Sequence, residues 1–185
     1  MDKKDLRLRL KEMRRALTET EVLEKSHRAQ EFILETEVYK NADCIMAYMP
    51  LGKETDTSLI IKQAYLDGKT VAFPVTCEET GEITPYIAEK NTCFEKGGFS
   101  VKEPVLGWVA NVEKIDLVIV PGIGFDSNGN RLGFGKGCYD GFLKKTQAVR
   151  MGLCYEFQLE KHIPATEYDE KMDYIVTENG ILKCK

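Results

Sequence analysis

Histidine is scarce in this sequence, which has two among 185 residues, His27 and His162. His27 lies in a charged stretch with helical character, and His162 directly precedes Ile163-Pro164, so we expect both to face solvent. A mechanism built on a histidine general base is therefore disfavoured. Paired cysteines are missing as well: the six cysteines include no C-x-x-C pair. They are expected to be reduced thiols, which disfavours a disulfide framework and a zinc site.

Long apolar runs are also missing, and no segment approaches the length of a membrane span. The start of the chain, "MDKKDLRLRLKEMRRAL", is too charged for a signal peptide, so a cytoplasmic protein without membrane association is expected. The formal net charge of -4 disfavours a general nucleic-acid binder. We find no repeat, low-complexity tract or linker, and we predict a single domain over residues 1–185. The oligomeric state stays open, with a monomer as the working expectation.

The order of predicted elements indicates an α/β protein. Helices are predicted over residues 2–17, from Thr18 to about Thr36, over 57–67 with Gly68 as C-cap, and over about 139–145. Strands are predicted in "ADCIMAYMP", "TVAFP", "ITPYIAE", "IDLVIVPG", "VRMGLCY" and "DYIVT". The dipeptide Asn128-Gly129 predicts a turn. Because "IDLVIVPG" is continuously apolar, we expect it to be central in a mostly parallel sheet, with ligands binding at the carboxyl ends of the strands.

The stretch "RLGFGKGCYD", residues 131–140, follows that strand and has glycine at three alternate positions. It is not a P-loop, because Gly137 rather than Ser or Thr follows Lys136. It is not a dinucleotide fingerprint, because "GIGFDSNGN" separates it from the strand. We predict a loop whose backbone N–H groups face an anion, with Lys136 and Arg131 on phosphate and Asp140 on Mg²⁺. The alternative is a surface turn with solvated charges.

A cationic stripe on the first helix gives weaker support to the same interpretation. Lys3, Arg7 and Arg14 fall within roughly 40° of one another on a helical wheel, beside the apolar face that contains Leu6 and Leu10. Such a stripe either points into a cleft at the edge of the helix or is a solvated face, and the pattern alone leaves both open.

The segment "VPGIGFDSNGNRLGFGKGCYDGFL", together with "KKDLR", "YMPLGKETDT", "KEP" and "DEKMDYIVT", closely resembles the 5-formyltetrahydrofolate cyclo-ligases, also called methenyltetrahydrofolate synthetases. The likeness covers nearly the whole chain. It implies a three-layer α/β/α fold with a mostly parallel sheet, related to sugar-phosphate isomerases and CoA transferases. It also implies conversion of 5-formyltetrahydrofolate to 5,10-methenyltetrahydrofolate with ATP and Mg²⁺, releasing ADP and phosphate.

The resemblance implies roles for individual positions. ATP contacts are implied at Lys3, Lys4, Asp5, Leu6, Arg7, Arg14, Arg131, Leu132, Gly133, Phe134, Gly135, Lys136, Gly137, Cys138 and Tyr139. Folate contacts are implied at Met49, Glu54, Phe99, Phe134, Gly135, Lys136, Gly137 and Cys138. Asp140 and Asp169 match the magnesium aspartates, and Lys136, Arg131 and Tyr139 are the catalytic candidates.

Two positions depart from the pattern of the family. Position 134 is frequently Arg and here is Phe, so Lys136 and Arg131 are expected to supply more of the phosphate-binding charge. The motif usually ends Tyr-Tyr-Asp, whereas Cys138 here takes the place of the first tyrosine, which removes an aromatic surface. Two alternatives follow: a phosphosugar isomerase-like relative that needs no ATP, or a folate- or nucleotide-binding protein without turnover.

Overall fold

The computed structural model describes residues 2–185 and places a broad sheet between layers of helices and loops. The helices are α1 (Lys3–Ala16), α2 (Glu19–Glu35), α3 (Glu37–Asn41), α4 (Ser58–Leu66) and α5 (Cys138–Leu143). The strands are β1 (Cys44–Met46), β2 (Thr70–Thr76), β3 (Ile83–Ile87), β4 (Phe94–Lys96), β5 (Lys102–Pro104), β6 (Trp108–Val109), β7 (Leu117–Pro121), β8 (Gly124–Asp126), β9 (Arg131–Leu132), β10 (Val149–Leu153), β11 (Leu159–Glu160), β12 (Tyr174–Thr177) and β13 (Gly180–Lys183).

The main sheet has eight strands in the order β13-β12-β10-β7-β1-β2-β3-β6. The five strands from β12 to β2 run parallel, and antiparallel strands extend the sheet at both edges. Strand β7 pairs in parallel with β1 on one side and β10 on the other. The prediction that "IDLVIVPG" forms a central parallel strand is therefore confirmed. Because both faces of β7 are covered, its side chains are apolar without alternation.

Alternate side chains of the central strands build two cores. Ile45 and Ile119 point to the face covered by α2, α3 and α4, where Ile33 and Ile60 pack against them. Met46 and its neighbours on the opposite face pack against α5 and the loop residues above it. Successive residues of a strand point to opposite faces, so both cores require apolar residues. The predicted three-layer α/β architecture is confirmed.

Helix α1 lies apart from the main sheet and packs on a smaller one. Strands β11, β8 and β9 form this sheet, and Leu6 and Leu10 of α1 pack against Ile123, Leu132 and Ile163 around it. Strands β8 and β9 form a hairpin whose turn contains the predicted Asn128-Gly129. Strand β9 leads directly into residues 133–137, which we call the glycine loop. The packing of α1 on the small sheet therefore places α1 beside this loop.

Helix boundaries follow the capping signals of the sequence with one omission. Thr18 and Glu21 form the predicted capping box at the start of α2, and Gly68 follows α4 with a φ of 73°. The missed helix is α3: Thr36 ends α2 and its hydroxyl then accepts the backbone N–H of Tyr39, which starts α3. None of the helices within residues 2–185 has the length and apolarity needed to traverse a bilayer.

Candidate active site

A cleft of about 480 Å³ opens at the carboxyl ends of β1, β2 and β7. The residues predicted from the sequence that line it are Lys3, Arg7, Met49, Glu54, Phe99, all of residues 131–140, and Asp169. Four others do not line it: Lys4, Asp5, Leu6 and Arg14. Leu6 belongs to the core beneath α1. The location matches the expected position for a ligand in a parallel sheet.

Helix α1 contributes two cations to one end of this cleft. The Lys3 ammonium lies 2.8 Å from Asp169 Oδ2, and Arg7 Nε donates to the carbonyl oxygen of Gly133 at 2.8 Å. Burial acts to raise the pKa of Asp169, but hydrogen bonds from Lys3 and Thr166 outweigh it and lower that pKa. The first two turns of α1 are thereby held to Asp169 and to the glycine loop, which both line the cleft.

The glycine loop presents backbone donors to the cleft. Within residues 2–185, none of the N–H groups of residues 133–137 donates to a protein acceptor. Gly137 precedes α5 in the left-handed region with a φ of 68°, which favours glycine. A Cβ on Gly133 would lie 2.8 Å from Arg131 Nη1, so the loop can pass over that guanidinium only without a side chain there. Glycine is therefore required at both positions, by the left-handed φ at Gly137 and by the close approach of Arg131 at Gly133. The N–H groups of the loop that lack a protein acceptor are suited to bind an anion.

Lys136 reaches across the mouth of the cleft to an aromatic ring. Its ammonium lies 4.1 Å from the centroid of the Phe99 ring, a cation–π contact. Phe99 has a φ of 53°, and its N–H donates to Glu78 Oε1 at 2.6 Å. In the part of the chain that the structure describes, no carboxylate lies within ion-pair distance of Lys136. The ammonium is therefore available to an anionic ligand.

Arg131 lies beneath the loop and pairs with Asp140. Its Nη2 is 2.9 Å from Asp140 Oδ2, and its side chain is only 6% exposed. The guanidinium carbon lies 5.5 Å from the centroid of the Tyr139 ring. Arg131 Nε and the Tyr139 hydroxyl are buried and make no hydrogen bond within residues 2–185. Burial raises the pKa of Tyr139, so this hydroxyl is a neutral donor at physiological pH.

Asp140 and Asp169 are the carboxylates that could hold a metal ion. The backbone N–H of Glu170, next to Asp169, donates to Asp140 Oδ1 at 3.2 Å, and both aspartates line the cleft. Residues 2–185 contain no group of three or more His, Cys, Asp or Glu side chains arranged around a metal. Two carboxylates fit Mg²⁺, which commonly takes one or two of them and completes its shell with water and phosphate oxygens.

Glu54 lies at the other end of the cleft and is buried. It is 7% exposed, Oε2 accepts the backbone N–H of Leu51 at 3.0 Å, and Arg14 Nη1 lies 3.5 Å from Oε1. Burial raises the pKa of Glu54, against the lowering effects of the Leu51 N–H group and of Arg14. Met49 lines the wall beside it. The cleft thus has a cationic, loop-lined end and a second end with one buried carboxylate.

The chain matches the model of the "5-formyltetrahydrofolate cyclo-ligase family" over residues 1–178. It belongs to that family. It is 30% identical to the 5-formyltetrahydrofolate cyclo-ligase of Mus musculus, over 96% of this chain and 94% of the relative. The Escherichia coli K12 cyclo-ligase is 27% identical, with 93% and 98% covered. The solved structure of Aquifex aeolicus 5,10-methenyltetrahydrofolate synthetase is 31% identical, has a TM-score of 0.86, and is matched over 94% of its length by all of this chain.

Membership makes this chain a cyclo-ligase of folate metabolism that converts 5-formyltetrahydrofolate to 5,10-methenyltetrahydrofolate. The resemblance stated from the sequence is thereby confirmed. The roles given to individual residues stay predictions, although most of those residues share one cleft. Sequence reasoning missed several other lining residues, among them Tyr48, Pro74 and Thr76. Tyr48 and Pro74 lie at the carboxyl ends of predicted strands, so the sheet-edge rule could have found them, whereas Thr76 lies beyond the predicted end of its strand.

Proposed function

We propose that this cyclo-ligase uses ATP and Mg²⁺ to activate 5-formyltetrahydrofolate, and that it releases ADP and phosphate with the methenyl product. The observation that carries the proposal is the division of the cleft. One end has Lys136, the Lys3 and Arg7 side chains and a run of unbonded loop N–H groups, which suits a polyphosphate. The other end has a buried carboxylate, Glu54, beside Met49, which suits a flat heterocycle with N–H donors.

The proposed chemistry needs positioning more than it needs a protein nucleophile. The formyl oxygen attacks the γ-phosphorus of ATP, the bond from that phosphorus to the leaving ADP oxygen breaks, and the formyl carbon becomes electrophilic. The second folate nitrogen then forms a bond to that carbon, loses its proton, and phosphate departs by cleavage of its bond to the same carbon. Catalysis of this kind rests on alignment and on stabilising charge around the transferred phosphoryl group.

Lys136, Arg7 and Lys3 are the proposed sources of positive charge for the phosphates. Among residues 2–185, Lys136 has no carboxylate partner to give up, which favours it as the contact to the transferred group. Arg131 is buried against Asp140, so its proposed role is to fix that carboxylate and to raise the local positive potential. The Tyr139 hydroxyl, which is buried and makes no hydrogen bond to the described residues, is the proposed hydrogen-bond donor in the cleft.

Asp140 and Asp169 are the proposed holders of Mg²⁺. Asp140 accepts two hydrogen bonds and Asp169 accepts three, the latter all on Oδ2, so each keeps lone pairs for a metal, since a carboxylate has about four. The metal, when bound, would neutralise part of the charge on the ATP phosphates.

Phe134 replaces the arginine that is frequent in the family. Two cationic side chains of α1 lie near its ring and supply positive charge at this position. The Lys11 ammonium lies 5.2 Å from the centroid of its ring, and the Arg14 guanidinium carbon lies 6.0 Å from it. A local positive field is therefore kept at this edge of the cleft, which supports retained activity despite the substitution.

The test is an omission assay. Purified protein is mixed with 5-formyltetrahydrofolate, ATP and Mg²⁺, each left out in turn, and the near-ultraviolet absorbance of the methenyl product is followed together with released phosphate. We expect product only in the complete mixture, with one phosphate released per product. Product formed without ATP would contradict the proposal. Absence of product combined with thermal stabilisation by MgATP would favour a nucleotide-binding protein without turnover.

A further inference from the structure

Arg14 differs from Lys3 and Arg7 because its guanidinium pairs with Glu54 and does not itself line the cleft. Lys3 and Arg7 line the cleft at the end with the glycine loop, whereas Arg14 is not among the lining residues. Its guanidinium lies behind Glu54, with Nη1 3.5 Å from Glu54 Oε1, and its side chain is 13% exposed. Within residues 2–185, it is the one cation within ion-pair distance of that carboxylate.

A second interaction, the hydrogen bonds of Lys53, also fixes the loop that carries Glu54 to the end of α1. The Lys53 ammonium donates to the carbonyl oxygens of Arg15 and Leu17, at the last turn of the helix. Lysine at a helix C-terminus is favoured by the carbonyl groups left without partners there. Lys53 and Glu54, adjacent in the loop, thus both contact the end of α1, and these contacts fix the position of Glu54 relative to Arg14.

The other polar groups that face Glu54 are neutral. Tyr48, from the segment after β1, and Tyr139, from α5, are the titratable groups near its carboxylate, and burial raises the pKa of both. The Leu51 N–H supplies one hydrogen bond to Oε2. Arg14 therefore supplies the positive charge that offsets the burial of this carboxylate.

We propose that Arg14 is a positioning residue, which keeps the Glu54 carboxylate ionised and directed into the cleft so that it accepts N–H hydrogen bonds from the folate ring. This rests on the proposed function only in taking Glu54 as a contact of the folate. An ionised acceptor makes roughly twice as strong a hydrogen bond as a neutral one, so loss of the Arg14 charge weakens folate binding. Arg14 is proposed to act on folate binding through Glu54: its guanidinium carbon also lies 6.0 Å from the Phe134 ring centroid, but, unlike Lys3 and Arg7, it does not line the cleft.

The test compares Arg14→Gln, Arg14→Lys, Glu54→Gln and the double variant Arg14→Gln/Glu54→Gln. Arg15→Gln is the matched control, since Arg15 is the next residue on α1 and its side chain is exposed. We expect Arg14→Gln to raise the KM for 5-formyltetrahydrofolate roughly tenfold, the effect of losing one charge-assisted interaction, with the KM for ATP changed less than about twofold. Arg14→Lys should recover part of the loss, because it restores the charge without the fork of donors.

Two further readouts separate a positioning role from a merely structural one. In Arg14→Gln the acid limb of the pH profile of kcat/KM for the folate should move to higher pH, because Glu54 loses the cation that lowers its pKa. In the double variant the Arg14 change should add little to the effect of Glu54→Gln. Full additivity of the two changes, or an increase in the KM for ATP alone, would overturn the proposal.

Direct binding keeps the result independent of turnover. Calorimetric titration of each variant with 5-formyltetrahydrofolate, without nucleotide, should show the roughly tenfold loss for Arg14→Gln and no change for Arg15→Gln. Equal folate affinity in Arg14→Gln and the wild type would overturn the Arg14 proposal. If the omission assay fails while this binding pattern holds, the ATP-dependent reaction is wrong and the role of Arg14 stands.

Discussion

Single side chains distinguish the proposed phosphate end of the cleft from the proposed folate end, and Lys136 is the clearest case. Its ammonium contacts the Phe99 ring instead of a carboxylate, so an arriving phosphate has no ion pair to break. Lys3 and Arg131, in contrast, are both paired with aspartates. Cations with the same formal charge therefore have different proposed roles, because their neighbours differ.

Lys136→Ala should impair both ATP binding and turnover. Loss of one charge-assisted contact to phosphate corresponds to about 1.5–3 kcal/mol, so we expect the kcat/KM for ATP to fall roughly 10- to 100-fold. Steady-state kinetics with varied ATP measure this. Lys183→Ala is the control, because Lys183 is exposed on the outer strand β13. Kinetics like those of the wild type would remove Lys136 from the site.

Asp140→Asn and Asp169→Asn should each raise the Mg²⁺ concentration needed for half-maximal activity. Loss of one ligand is expected to weaken metal binding roughly tenfold or more. Only Asp140→Asn should also lower the melting temperature strongly, because it leaves Arg131 buried without a counter-charge. Magnesium titrations and thermal melts of both variants measure these effects. Asp43→Asn, an exposed change before β1, is the control, and a wild-type titration for both aspartates would contradict the metal site.

At the scale of elements, α1 connects the two ends of the cleft. Its first turns carry Lys3 and Arg7 toward the glycine loop, while its last turns carry Arg14 toward Glu54. The helix is held in place by apolar contacts of Leu6 and Leu10 with the small sheet. Its cationic stripe is therefore not a plain solvated face: Lys3 and Arg7 are the proposed phosphate contacts, and Arg14 is the proposed partner of Glu54.

Helix α2 depends on its capping box. Thr18 Oγ1 accepts the backbone N–H of Glu21 at 3.2 Å, and the Glu21 carboxylate accepts the N–H of Thr18 at 2.7 Å. Thr18→Ala should therefore reduce the free energy of unfolding by about 1 kcal/mol, which corresponds to roughly 2–4 °C in melting temperature. Thr20→Ala, in the same turn but without a capping role, is the control and should cause no loss. Equal melting of the Thr18 variant and the wild type would show that packing alone fixes the start of this helix.

At the scale of the whole molecule, the six cysteines are all free thiols. Their reactivity toward a thiol reagent can therefore be used to follow unfolding. Cys77 and Cys93 are exposed, whereas Cys44 and Cys154 are buried in different strands or strand ends of the main sheet. Burial raises the pKa of Cys44 to about 11 and that of Cys154 well above its usual value, so neither is a thiolate near neutral pH. Hydrogen bonds from Thr80 lower the pKa of Cys77.

A thiol reagent at neutral pH should modify Cys77 and Cys93 in the native protein and leave Cys44 and Cys154 intact. The lowered pKa of Cys77 favours its reactive thiolate form. In a denaturant series, Cys44 and Cys154 should become reactive at one midpoint, the same as that of far-ultraviolet circular dichroism, if residues 1–185 unfold as the predicted single domain. Peptide mapping by mass spectrometry measures both, and separate midpoints would indicate two unfolding units.

Most of the fold could be predicted because its signals are local. The apolar run of β7, the capping box of α2 and the turn at Asn128-Gly129 each depend on neighbouring residues. The strands that could not be predicted are short and depend on pairing with the preceding strand of a hairpin. Strand β13 exists through its pairing with β12, and the two-residue β9 through its pairing with β8, and neither has a strand-like run of its own.

The sequence by itself determined the α/β class, the central strand, the glycine loop at its carboxyl end and, by resemblance, the cyclo-ligase family. These features could be predicted because hydrophobic periodicity, helix caps and motif spacing each depend only on residues close together in the sequence. Only the tertiary structure decided that Arg131 is buried against Asp140, that Lys136 rests on Phe99, and that Arg14 faces Glu54. Those partners are 9, 37 and 40 residues apart in the chain, and their meeting depends on how α1, the loops and the sheet edge pack together.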